Sequence, residues 1–272
     1  LIQSKADVNL PIKDGSTALM HASKGGHYGS VEALLDKGAN AATKMNATDK
    51  ANAGMNAAMW AAQLGHLEIL KLLLDKGGVS VDEVKDDGFT ALIFAAQYGR
   101  CAVIDLLKDR GAAVDHKNKK GTTALMIACR TGHVEAVRLL LSHGATLSEQ
   151  DDGGKTAMMW SAQSGHEQPL HTLIHARADV DREDKKGNTA LCLAAQHGHD
   201  KITKALVQSG AEIDVHNHDG FTPLCIAAQQ GHEAVALLLL PPPSTATPGK
   251  RCSPPSPDAC RNGGALGLWQ AE

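Results

Sequence analysis

Leu125, Ala128 and Cys129 stand three and four residues apart, the spacing that places side chains on one face of a helix. A few residues on, Val134, Val137, Leu140 and Leu141 form a second apolar stripe of the same kind. Gly121, ahead of the first stripe, allows a positive-φ turn, and Thr123 offers a hydroxyl to cap the helix that follows. Gly132 ends that helix, His133 opens the next, and Gly144 stops it. The pattern predicts two short antiparallel helices and a hairpin-like loop leading to the next turn. Alone, such a unit cannot bury both of its apolar faces; stacked on copies of itself, it can.

The copies are present. A Gly, a variable residue, a Thr and an apolar run ending in a small pair recur with anchors at Thr17, Asn56, Thr90, Thr123, Thr156, Thr189 and Thr222, separated by 39, 34, 33, 33, 33 and 33 residues. A fixed period in this range marks a stack of identical supersecondary units, with no single central core. Gly15, Gly54, Gly88, Gly121, Gly154, Gly187 and Gly220 lie two before the anchors. His27, His66, His133, His166, His199 and His232 lie ten after, with Arg100 as the exception. Six extra residues around Thr43 to Ala53 lengthen one loop.

These motifs resemble the ankyrin-repeat family, whose unit reads roughly G-x-T-P-L-H-x-A-A-x-x-G-H, a second helix, then G-A-D-V-N. Gly111-Ala112-Ala113-Val114-Asp115 and Gly210-Ala211-Glu212-Ile213-Asp214 match the closing phrase. The resemblance covers about residues 1–240 and implies a mainly α solenoid of stacked helix-loop-helix units, seven recognisable and one partial at the start. Residues 241–272, which hold seven of the ten prolines, are expected to be a disordered tail. Leu1 to Asn9 reads as the end of an earlier repeat, and neither end shows a polar capping repeat, so a fragment or a truncated gene product is expected.

Departures from the family pattern are specific. The Pro after the anchor survives only as Pro223. The family His three after the anchor is replaced by Met20, Met59, Ile93, Met126, Met159, Cys192 and Cys225, an apolar ladder in place of a polar contact. One position on, His21, Trp60, Phe94, Ile127, Trp160, Leu193 and Ile226 read mainly as packing between layers. The fifth unit is expected to be the weakest. Pro169 falls near the limit of what a helix start tolerates, and Arg177 replaces a helix-ending Gly at a strain of about 1 kcal/mol.

Composition narrows the function classes. Apolar residues make up 43% and aromatics only 3%, which suits thin, closely stacked layers. With 27 basic and 30 acidic residues, the chain has no global field that points to nucleic acid or a membrane. The longest apolar run, Ala234 to Leu240, is far short of the roughly 20 residues of a membrane span. The first nine residues do not form a signal peptide, so the sequon Asn46-Ala47-Thr48 reads as a bystander. Cys192 and Cys225 hold equivalent places in adjacent layers, too far apart for a disulfide. The repeat cysteines therefore read as reduced packing residues of a cytoplasmic or nuclear protein.

Motifs that imitate chemistry dissolve into the repeat. Gly154-Lys155-Thr156 lacks the Gly that a phosphate loop needs at position 149, where Glu stands. His166 and His171 are five apart with Pro169 between them, not the four a zinc-protease helix requires. Six histidines lie one per layer, too far apart to share a metal. His197, His199, His216 and His218 come from adjacent repeats and carry only a weak metal reading, and nothing near Cys252 and Cys260 completes a site. No enzyme, cofactor or metal is expected.

The resemblance implies a protein partner that meets the hairpin tips and the exposed side of the first helices, on the concave face. The tips carry Asp86, Asp87 and Phe89; Lys117, Lys119 and Lys120; Asp151, Asp152 and Lys155; Asp184, Lys185 and Lys186; and His218, Asp219 and Phe221. Seven after the anchor stand Lys24, Gln63, Gln97, Arg130, Gln163, Gln196 and Gln229, and Tyr98 lies in the next row. A lysine cluster between acidic tips suits a charged, extended partner, with Phe89, Tyr98 and Phe221 as exposed aromatic anchors and Arg130 adding specificity. The expected role is a non-catalytic scaffold or adaptor, a monomer that binds no small molecule or nucleic acid. The alternative is the targeting arm of a larger enzyme, such as a kinase or a ubiquitin-ligase subunit, whose catalytic domain lies outside this chain.

Overall fold

Every first helix begins where the anchor can accept a hydrogen bond. In the computed structural model, which describes residues 6–46 and 52–240, each of the seven anchors is an N-cap in extended conformation whose side-chain oxygen accepts from the backbone N–H three residues on. The distances run from 2.9 Å at Asn56 to 3.5 Å at Thr17. A side-chain cap of this kind contributes about 1 kcal/mol. Gly65, Gly132, Gly165, Gly198 and Gly231 close their helices in the left-handed conformation. The described residues form fourteen helices and no strand.

The chain divides into two units, the first reaching Asp179 and the second starting at Val180. The first contains α1 (Ala18–Lys24), α2 (Tyr28–Asp36), α3 (Ala57–Leu64), α4 (Leu67–Asp75), α5 (Ala91–Gln97), α6 (Cys101–Asp109), α7 (Ala124–Thr131), α8 (Val134–Ser142), α9 (Ala157–Ser164) and α10 (Glu167–His175). Odd-numbered helices pack side by side in one row, even-numbered helices form a second row, and each pair packs internally. The second unit repeats this with α11 (Ala190–His197), α12 (Asp200–Gln208), α13 (Pro223–Gln230) and α14 (Glu233–Leu239).

The apolar ladder is present: Met20, Met59, Ile93, Met126, Met159 and Cys192 are all buried, with Cys225 half-buried. Small residues behind it, including Ala61, Ala95, Ala128 and Ser161, are also buried and let neighbouring first helices approach closely. From the second row, Leu70, Leu73, Ile104, Leu107, Leu140 and Leu173 fill the space between the rows.

The histidines hold the layers together. Each precedes a second helix without capping it, and the rings of His66, His133 and His232 instead reach back to the preceding repeat. His66 Nε2 lies 3.2 Å from the Lys24 carbonyl, His133 Nε2 3.0 Å from that of Gln97, and His232 Nε2 3.2 Å from that of Gln196. Arg100, the exception in sequence, makes the same link, its Nε donating to the Gln63 carbonyl at 3.1 Å. A glycine of the preceding repeat lies against the rings of His66, His133, His166 and His232: a Cβ on Gly132 would come within 2.7 Å of His166 Nδ1. A second link comes from the closing phrase. Asp82, Asp115 and Asp181 accept from the backbone N–H of Ala113, Thr146 and Glu212, one repeat further on.

The fifth unit departs from expectation in one respect. Pro169 is the third residue of α10, where a backbone N–H has no intrahelical acceptor in any case, and the helix runs its full nine residues. Its trace is a stretched first bond, 3.4 Å from Leu170 N–H to the His166 carbonyl against 3.0 Å for Val137 and His133. Arg177 does take the strained conformation, with φ of 64° where Gly38, Gly111, Gly144 and Gly210 lie between 83° and 88°. The tail 241–272, with Cys252 and Cys260, lies outside the described residues, as does most of the sequon.

Candidate protein-binding face

Four of the tips are turns built by an Asn or Asp at their first position. Asn118 N–H donates to the Thr122 carbonyl, Asp151 to that of Lys155, Asp184 to that of Asn188, and Asn217 to that of Phe221. The same side chains accept backbone N–H groups two and four residues on: Asn118 from Lys120 and Thr122, and Asp151 from Gly153 and Lys155. Asx side chains do this because their oxygen reaches the turn that the backbone must make. Asp151 is thus a turn-former. Its second oxygen also accepts the indole N–H of Trp160 at 3.0 Å, leaving less of it for an outside group.

Adjacent tips within the first unit are joined through backbone. Lys119 N–H donates to the Asp87 carbonyl at 2.9 Å, and Asp152 N–H to the Lys120 carbonyl at 3.0 Å. The approach is so close that a Cβ on Gly88 would lie 2.8 Å from Lys119 N, in a residue with φ of 84°. The result is a fixed row: Asp87, then Lys119 and Lys120, then Asp152. All four are exposed, and neither lysine makes an ion pair with a described residue. Lys117 differs, because its ammonium is held by Glu149 at 2.6 Å and by the Gln150 carbonyl at 3.1 Å. Asp87 holds the ammonium of Lys85, which is only 5% exposed.

The aromatic anchors divide. Tyr98, at the end of α5, is 41% exposed. Phe89 is not an exposed ring: it is half-buried against Phe94, with ring centroids 5.3 Å apart. Phe221 is also half-buried, and it belongs to the second unit, away from the Asp87–Asp152 row in sequence. The alternation of residue types does not reveal that these rings are half-buried.

A cluster on the first helices emerges that the sequence pattern alone did not single out. Trp160, expected to pack between layers, is half-exposed, and two cations lie over its ring. The Arg130 guanidinium carbon is 5.4 Å from a ring centroid, and Lys155 Nζ is 4.9 Å away. Lys155 also donates to Gln163 Oε1 at 2.6 Å. The same arrangement recurs between the first two repeats, where Lys24 Nζ lies 4.2 Å over the ring of Trp60. The signal was present as a cation seven after one anchor and a Trp four after the next. His21, at the equivalent of the two tryptophans, is exposed and bonds to Ser16 Oγ rather than packing between layers.

The thiols are poorly placed for nucleophilic work. Burial pushes Cys129 up to about 12, with a hydrogen bond from Ser161 opposing weakly, and burial raises Cys101 and Cys192 as well. None of the three is a thiolate at neutral pH. All four described cysteines are free. His197 and His199 stack with centroids 6.0 Å apart. No helix among the described residues is long and apolar enough to cross a membrane.

A family model described as ankyrin repeats (3 copies) matches residues 41–118, 102–184 and 168–247, and one described as ankyrin repeat matches residues 14–50. No curated protein matches the chain.

Proposed function

Because the chain belongs to the ankyrin-repeat family, whose repeats are generally protein-protein interaction modules, we propose that it is a non-catalytic scaffold or adaptor that binds a partner protein through its tips and first helices. One observation carries the reading: the row Asp87, Lys119, Lys120 and Asp152 is locked by backbone bonds between repeats yet leaves its side chains to solvent. Fixed backbone beneath the unpaired lysines Lys119 and Lys120 lowers the ordering cost of recognition. Arg130, Tyr98 and the rim of Trp160 extend the surface onto the first helices, while Phe89, Lys117 and Asp151 support it from beneath or beside, and Phe221 marks a tip of the second unit. The protein acts as a monomer, and its free repeat cysteines suit the reducing cytoplasm or nucleus.

Affinity capture with the wild-type chain and with the Lys119→Glu/Lys120→Glu form tests this. The partner that the wild type retains is expected to be lost by the variant, with unchanged far-UV circular dichroism. Equal recovery by both forms would reject the tip row as the binding surface.

A further inference from the structure

The paired cations of the first-helix face have no counter-charge. Elsewhere Lys44, Lys76, Arg110 and Lys117 hold Glu83, Asp36, Asp75 and Glu149. Lys24, Arg130 and Lys155 hold no described carboxylate within ion-pair distance; each lies over a tryptophan instead. Asp151 is nearby, but its oxygens accept from the N–H groups of Gly153, Lys155 and Trp160, not from the two cations. A ring beneath a cation fixes the stem and part of the head while leaving the outer N–H groups for an anion.

Geometry then sets a spacing. Lys24 ends α1 and Arg130 lies near the end of α7, and α1, α3, α5 and α7 pack in succession. The His66 bond to the Lys24 carbonyl fixes the first station, and the ring of His166 against Gly132 borders the second. Three steps of about 8–10 Å separate the two stations. Between them the equivalent positions are the neutral Gln63 and Gln97, with Tyr98 exposed beside the latter. An extended chain advances about 3.3 Å per residue, so roughly eight residues cover the distance.

We propose that the partner presents an extended acidic segment along this face, with carboxylate side chains about eight residues apart that meet Lys24 at one end and Arg130 with Lys155 at the other. The inference rests on the interaction reading above and adds to it the chemistry and register of the occupant. Charge complementarity selects carboxylates: two isolated cationic stations on aromatic shelves, with neutral amides between, match two separated acids better than one continuous polyanion.

Fluorescence-polarisation titration of the full chain tests this, using labelled synthetic peptides of Ser, Ala and Asn that carry one Glu, or two Glu four, eight or sixteen residues apart. The eight-residue pair is expected to bind at least about tenfold more tightly than the single Glu. Lys24→Gln and Arg130→Gln are each expected to reduce it to the single-Glu level, with unchanged circular dichroism. Affinity independent of spacing, or untouched by both substitutions, would overturn the proposal. Phosphoserine in place of Glu binding more than about tenfold tighter would also overturn it, reassigning the stations to phosphate, and so would displacement by single-stranded RNA at equal concentration. If the captured partner depends on Lys119 and Lys120 but not on Lys24 and Arg130, the register fails while the interaction reading survives.

Discussion

Arg177 shows what one residue can cost. It occupies a left-handed position that four of its counterparts fill with glycine, and its side chain makes that conformation unfavourable by about 1 kcal/mol. Arg177→Gly is expected to raise stability by roughly 0.5–1 kcal/mol, read as a higher urea midpoint at unchanged slope. Cys129 makes a second residue-scale prediction. Its thiol ionises near 9.0 without burial and at about 12 in the fold. The folded state therefore keeps its proton while the unfolded state loses it, and stability contributed below pH 9 falls as pH rises towards 12. Urea midpoints at pH 8 and pH 10 should differ less in Cys129→Ala than in the wild type, and an equal drop would refute the buried-thiol origin. The strain at Arg177 was legible because glycine stands at that place in neighbouring units. The engagement of Asp151 was not, because its donors are two backbone N–H groups of the turn and an indole N–H nine residues on, brought together only by the fold.

Between elements, the recurring histidine is a bolt whose partner is a carbonyl. Sequence spacing placed one per layer and so removed them from any shared metal site, but it could not show the atom they reach. The sole exception, Arg100, proves informative, since its Nε finds the equivalent carbonyl. His133→Ala is expected to cost about 1–2 kcal/mol by leaving the Gln97 carbonyl without its partner at 3.0 Å. Arg100→His should stay within about 0.5 kcal/mol of the wild type, as both side chains make the same link. Denaturant titration of the two variants separates them, and a His133→Ala form as stable as the wild type would mean that the ring contributes packing alone. Pro169 is the complementary lesson. Its position near a helix start was visible, yet its third place in α10 means that no bond was lost, which depends on where the helix begins.

For the molecule, the near-neutral balance of 27 basic and 30 acidic residues says nothing of which charges are paired. Lys44, Lys76, Arg110 and Arg138 are matched by carboxylates, whereas Lys24, Arg130, Lys155, Lys119 and Lys120 hold no described carboxylate. The helical repeat was legible because a 33-residue period exposes every anchor several times over. The proposed binding face was legible only as a set of variable positions; which of them stay free depends on bonds between repeats. Lys119 and Lys120 remained exposed as expected, Phe89 did not, and the cation–tryptophan stations became visible only once adjacent repeats were stacked. The most direct test is the equilibrium affinity of the captured partner for the wild type and for Lys119→Glu/Lys120→Glu, measured at two salt concentrations. The account predicts weakening of about tenfold or more, with a shallower salt dependence and an unchanged melting curve. An affinity and salt slope identical to the wild type would contradict it.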